Sequence, residues 1–174
     1  ILDTGIPILG FVSPGHFIPQ VKVIIHALGH LGYDPTIVYN SNGYDEVEQL
    51  KGLEGLVDVY LPDFKYMDES LGRKYSDVQD YPSIALKALK EMLRQTGSNL
   101  IIDHEGYAMR GMLIRHLVLP GHTVNSLQVM EAIAEELSPE IHVALMSQYY
   151  PCHHANEYEP LRSFVDPREY RKVT

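Results

Sequence analysis

The stretch Ile8-Leu9-Gly10-Phe11-Val12-Ser13-Pro14-Gly15-His16 (8–16) sets the pattern for the whole chain. An apolar run of strand length is cut off by Pro14 and Gly15, which break regular structure. From Gln20 to Leu31 the apolar positions 21, 24, 25 and 28 recur at helical spacing, and Gly32 follows as a cap. Strand, polar turn and helix then repeat. Thr36-Ile37-Val38-Tyr39 reads as a second strand ending at Asn40-Ser41-Asn42-Gly43, with a short acidic helix over 44–52. Val57 to Leu61 reads as a third, ending at Pro62-Asp63, and a loop containing Gly72 and Tyr75-Ser76 follows.

The second half continues the alternation. A helix is expected over 82–96, with Pro82 in its first turn and Gly97 beyond its end. Residues 99–111 carry turn signals and read as turns or a small hairpin. Strands are expected over 112–119 and 141–146, separated by a helix over 126–137, and a short helix follows Asp166-Pro167. Apolar runs alternating with helical segments are the signature of βα units and a parallel sheet. The expected fold is α/β, a single (β/α) domain over 1–174 with about five parallel strands, in a partial TIM-like barrel or an open sheet.

Composition narrows the function. The 174 residues carry 14 Lys and Arg against 23 Asp and Glu, a net charge of −9. No basic cluster is present to hold a phosphate backbone, which argues against nucleic-acid binding. No apolar run reaches the roughly 18 residues needed to span a bilayer. Cys152 is the one cysteine, so no intrachain disulfide forms, and a cytoplasmic location is expected.

In parallel α/β folds the C-terminal strand ends form one rim, where ligands bind. Here those ends concentrate polar side chains: Ser13 to His16, Asn40 to Gly43, Asp63 to Lys65, and Gln148 to Tyr150. Asp63 can accept from hydroxyl or ammonium groups, and Lys65, one residue beyond, can donate to a carboxylate; a surface ion pair without a ligand is the plainer reading. The Asn40–Gly43 turn also suits plain turn chemistry. Arg115, inside an apolar strand, needs a partner from the protein or from a ligand. His116 falls on the opposite strand face and reads as a satisfied core histidine. Cys152, His153 and His154 do not complete a zinc ligand set, and no catalytic residue or metal ligand is assigned.

Six stretches in order carry a resemblance: FVSPGHFIPQ (11–20), VYNSNGYDEVEQL (38–50), VDVYLPDFKYMDE (57–69), YPSIALKALKEM (81–92), RGMLIRHLVLPGH (110–122) and MSQYYPCHHA (146–155). Together they resemble the radical SAM proteins related to pyruvate formate-lyase-activating enzyme. The resemblance implies a partial (β/α)6 barrel that holds S-adenosylmethionine and a [4Fe–4S] cluster at the strand C-termini. It implies reductive cleavage of S-adenosylmethionine to a 5′-deoxyadenosyl radical, which abstracts hydrogen from a substrate. The implied partners are a glycyl radical enzyme and an electron donor such as flavodoxin or ferredoxin.

Carried onto this sequence, the resemblance puts Ser13, Gly15 and His16 at the family's Gly-Gly-Glu turn, which holds the methionyl amino group, with His16 in place of the glutamate. Asn40 and Asn42 match a polar turn near the methionyl carboxylate. Asp63 and Lys65 match an Asp-x-Lys by the ribose and carboxylate. Arg115 and Leu117 lie on a strand whose Leu117 position touches adenine, and Tyr150 falls where an adenine-contacting histidine stands. The family's CxxxCxxC segment has no counterpart in the chain, which begins at Ile1. The expectation is therefore a portion of a longer enzyme that lacks its first βα unit, is inactive by itself and is prone to self-association at a raw sheet edge. A cluster-less S-adenosylmethionine- or nucleotide-binding module or scaffold, and an unrelated metal-dependent barrel enzyme, are the alternatives.

Overall fold

The computed structural model describes residues 3 and 5–174. Strands β1 (Ile8–Val12), β2 (Thr36–Ser41), β3 (Val59–Pro62), β5 (Ala108–Leu117) and β6 (His142–Met146) pair in parallel, in the order β1-β2-β3-β5-β6. The two-residue β4 (Ile101–Ile102) adds an antiparallel step to the start of β5. The crossovers carry α1 (Ile18–His30), α2 (Val47–Lys51), α3 (Glu69–Ser76), α4 (Tyr81–Thr96) and α5 (Thr123–Ala132); α6 (Pro167–Tyr170) lies in the tail. None of the described helices is long and apolar enough to cross a membrane.

Most elements stand where the apolar pattern puts them, with three differences. The segment read as a loop around Gly72 is the helix α3, started by Asp68, whose carboxylate accepts from Ser70 N at 2.8 Å. Its cap replaces the long apolar periodicity that marks the other helices. The helix read over 126–137 starts earlier, at Thr123, and its last turn, Ile133–Leu137, is π-helical. The hairpin around 99–111 is real, and it lengthens β5 back to Ala108. Gly111 makes the join: its φ is 126° and a Cβ would stand 2.3 Å from the Asn99 carbonyl oxygen, so only glycine fits where β5 leaves the hairpin for β3.

Side chains of parallel partners share a face, so the register sorts them into two sets. Phe11, Tyr39, Tyr60 and Met112 form one row across four strands. That row belongs to the core, with Leu50, Leu53, Leu89, Met92, Ile114 and Val129 fully buried around it. The opposite row toward the strand C-termini runs through Val12, Asn40 and Leu61, and through Arg115 with Ala144 and Leu117 with Met146. These side chains are half-buried or exposed, Val12 to 74%. The helices therefore cover one face of the sheet, and the rim end of the other stays open. Among the described residues β1 pairs only with β2 and β6 only with β5, so the sheet is open at both edges. Helix α1 presents Val23 and Ile24 to solvent, and Leu31, just past its end, is 72% exposed.

His116 points into the helix-covered face, as its alternation with Arg115 requires. Its Nδ1–H donates to the Phe64 carbonyl at 2.7 Å, which leaves Nε2 to accept from the Ser126 hydroxyl at 2.9 Å. Burial lowers its pKa, and the bond to Phe64 opposes this only in part. The fold holds the neutral ring, whereas the unfolded imidazole titrates near about 6.5. Stability from this group is full above that pH and declines as pH falls through it, because the unfolded chain takes up a proton that the folded one resists. Urea melts between pH 7.5 and 5.5 are expected to show this decline, at no more than about 1.4 kcal/mol per pH unit for the one group. In H116Q the slope shrinks; an unchanged slope would count against the assignment. His122, lowered by burial and then by Lys74, supplies a residual slope of the same sign.

Candidate functional site

Arg115 organises the open face. Its Nε donates to Asp63 Oδ1 at 2.9 Å, and its Nη2 lies 2.7 Å from the same oxygen and 2.8 Å from Asn40 Oδ1. Lys65 Nζ stands 3.9 Å from Asp63 Oδ2. One chain of polar contacts thus joins Asn40 on β2, Arg115 on β5 and the Asp63–Lys65 pair just past β3. The backbone closes the same junction, with Phe64 N–H donating to the Arg115 carbonyl at 2.9 Å.

The network is not used up internally. Arg115 Nη1 and Lys65 Nζ make no hydrogen bond among the described residues, and Asp63 Oδ2 has only the long contact to Lys65. The side chains of Asp63 and Arg115 are 22% and 28% exposed, that of Lys65 40%. Partial desolvation strengthens charged hydrogen bonds while leaving the groups accessible. The arrangement offers one carboxylate oxygen for hydroxyl or ammonium donors and two cations for a carboxylate. Leu117 and Met146, one pleat toward the rim, add an apolar patch on the same face.

Two turns present these groups, and buried side chains that the sequence reading passes over fix both. Gly43 has φ 81°, and a Cβ there would stand 2.2 Å from the Asp63 carbonyl oxygen, so the β2 and β3 turns touch backbone to backbone. The Tyr81 hydroxyl sits between them. It accepts from Lys65 N–H at 3.0 Å and shares its hydrogen between the carbonyls of Asn42, at 2.9 Å, and Asp63, at 3.1 Å. Burial raises its pKa, so it stays a phenol. Asn125 on α5 holds the next part of the turn: Oδ1 accepts from Met67 and Asp68 N–H, and Nδ2 donates to the Lys65 carbonyl. Tyr81 and Asn125 each stand just before a helix in the sequence pattern, so neither signals a role in the rim.

The other rim residues separate. Ser13, at φ 50°, leaves β1 into a 3-10 turn over Pro14–Phe17, and its N–H donates to the Asn40 carbonyl at 2.7 Å. Ser13, Gly15, His16 and Asn42 line a cavity of about 300 Å3 behind that turn. The Asn42 side chain is engaged in its own turn, accepting from Tyr44 N–H at 2.9 Å. Tyr150 joins neither group. It packs edge-on against Phe164 and lines a separate open cleft of about 620 Å3 with Tyr75, Tyr149 and Tyr158. Cys152 is exposed at that cleft, and among the described residues no three His, Cys, Asp or Glu side chains are placed to hold a metal ion.

No family model matches the chain. It is 31% identical over 156 residues to an uncharacterized protein of Methanocaldococcus jannaschii, covering 89% of this chain and 41% of that protein. The chain therefore spans less than half the length of the curated relative it matches. A solved domain of pyruvate-formate lyase-activating enzyme from Bacteroides vulgatus aligns with 79% of this chain and 98% of its own, at 15% identity and a TM-score of 0.43. A score that low does not establish a shared fold.

Removing the Tyr81 hydroxyl leaves Lys65 N–H without an acceptor and two carbonyls short of a donor. Y81F is expected to lower stability by about 1–3 kcal/mol in urea melts and to speed amide exchange at Lys65. Unchanged exchange at Lys65 would show that the clasp does not hold the turn.

Proposed function

We propose that the chain is the larger part of a radical SAM partial barrel and that its open face holds S-adenosylmethionine. The observation that carries this reading is the Asn40–Arg115–Asp63–Lys65 network, which gathers complementary charges at the C-terminal ends of adjacent parallel strands on the face no helix covers. The six motif stretches support it, each lying in the order in which the resembling proteins carry them.

The donor set fits the proposed ligand. Asp63 is suited to accept from ribose hydroxyls. Lys65 and the free Nη1 of Arg115 are suited to the methionyl carboxylate, and Asn40 keeps the guanidinium in its plane. Leu117 offers an apolar surface for adenine. Ser13, Gly15, His16 and Asn42 stand apart from this face, at a separate cavity, and Tyr150 reaches the ligand only if its tail segment shifts. On one-electron reduction S-adenosylmethionine supplies a 5′-deoxyadenosyl radical that takes hydrogen from a substrate.

The iron–sulfur cluster does not fit this chain. Such a cluster needs several thiolates, and Cys152 is the sole cysteine. Its ligands are proposed to lie elsewhere in a longer parent, on a further βα unit. The flank of β1 and α1 suits that unit, with a strand edge to pair and the exposed Val23, Ile24 and Leu31 to cover. The parent is proposed to act in the cytoplasm on a glycyl radical enzyme or another hydrogen donor, with a flavodoxin- or ferredoxin-type reductant.

Equilibrium dialysis is expected to show that the chain binds S-adenosylmethionine, and D63N is expected to weaken binding at least tenfold with the fold retained by circular dichroism. The full-length protein, reconstituted anaerobically with iron and sulfide, is expected to release 5′-deoxyadenosine. The absence of both binding and product would sink the reading. Binding without product would leave a cluster-less binding module.

A further inference from the structure

Behind the first rim turn, on the opposite side of β2 from Asn40, lies a buried carboxylate with no charged partner among the described residues. Asp45 is 7% exposed. Its Oδ1 accepts from the Tyr39 hydroxyl at 2.8 Å, and its Oδ2 accepts from the Ser41 hydroxyl. The Ser41 hydroxyl oxygen in turn accepts from Gly43 N–H at 2.8 Å, which fixes that donor. Both are neutral, and among the described residues Asp45 makes no ion pair with any Lys, Arg or His. Buried charges in proteins are ordinarily paired or bind a cation.

Asp45 also lines the cavity of about 300 Å3 described above, at the lower end of the range for small-molecule sites. Glu46 adds a second carboxylate to the lining, and the only basic side chain in it is His16. Ile84 and the ring of Tyr44 make the wall partly apolar. Tyr44 is held in place, stacked on Tyr81 at 6.2 Å with its hydroxyl donating to Asp80 at 2.7 Å. Gly15 keeps the cavity clear, since a Cβ on it would stand 2.9 Å from Asp45 Oδ1.

We propose that this cavity binds the ammonium group of a small organic amine, with Asp45 as its counter-ion. An inorganic cation would gain from the carboxylate but not from the apolar wall. An alkylammonium gains from both, and the Tyr44 ring adds attraction for the cation. The site does not rest on the reading of the open face. Asp45 and Ser41 lie on the helix side of β2, whereas Asn40 and its network lie on the other.

The test is amide chemical-shift titration of the 15N-labelled chain with n-butylammonium, n-butanol and potassium chloride in turn. Saturable shifts at Gly15, Gly43, Tyr44 and Asp45 are expected with n-butylammonium alone. D45N is expected to weaken binding at least tenfold. G15A, which keeps the carboxylate but intrudes on the cavity, is expected to weaken it as well, so the proposal does not hang on the folding of one variant. An equal response to butanol, or binding that survives both substitutions, overturns it. So does saturation by potassium, which would make this an inorganic cation site. A parallel titration with S-adenosylmethionine separates the two readings: displacement of butylammonium would make the cavity part of the cofactor face and end the proposal. A chain that binds the amine but no S-adenosylmethionine would retain this site and lose the other.

Discussion

The pairing of β3 with β5 holds both the core and the candidate site in place. The two strands are joined by a crossover of two helices and a hairpin, and Asp63 and Arg115 are 52 residues apart in sequence. Below the rim the pairing aligns Tyr60 with Met112 inside the core. At the rim it continues as a bridge between Asp63 and Arg115, where the side chains form the ion pair. One register thus sets the packing of one face and the chemistry of the other. A shift of a single residue would turn Arg115 into the core and His116 out of it.

Several buried polar groups serve that register. His116 ties the Phe64 carbonyl to α5, Asn125 ties the turn over 65–68 to the same helix, and Tyr81 clasps the β2 and β3 turns. Each satisfies backbone groups that a sharp turn would otherwise leave unpaired away from water. The turn carrying Asp63 and Lys65 is therefore bound to α4 and α5, a pre-organised presentation of the kind ligand recognition favours. Asp45 differs from these groups. Its hydroxyl partners satisfy its oxygens but not its charge, which makes the cavity it lines a place for a ligand rather than another strut.

The rim divides into three regions. The open face gathers Asn40, Asp63, Lys65, Arg115 and Leu117. The cavity behind β2 takes Ser13, Gly15, His16 and Asn42. Tyr150 stands in a tyrosine-lined cleft near the tail. The motif order alone treats all ten as one cradle, because each falls near the C-terminal end of an expected strand. Strand ends, however, project to both sides of a sheet, and turn residues such as Asn42 can spend their side chains on their own turn.

The sequence by itself determined the αβ alternation, the placement of the parallel strands and the opposite facing of Arg115 and His116. All three follow from local periodicity, which a single chain displays without its neighbours. It did not show α3, whose first turn depends on the Asp68 cap, or the return of β5 to Ala108, which depends on a partner strand and on room for Gly111. Only the tertiary structure decided that Arg115 pairs with Asp63 and Asn40, that Tyr81 and Asn125 hold the rim turns, and that Asp45 is buried with no ion pair among the described residues. The first two rest on contacts between residues far apart in the chain, which leave no period in the sequence to read, and the third on burial, which its partners four and six residues away do not reveal.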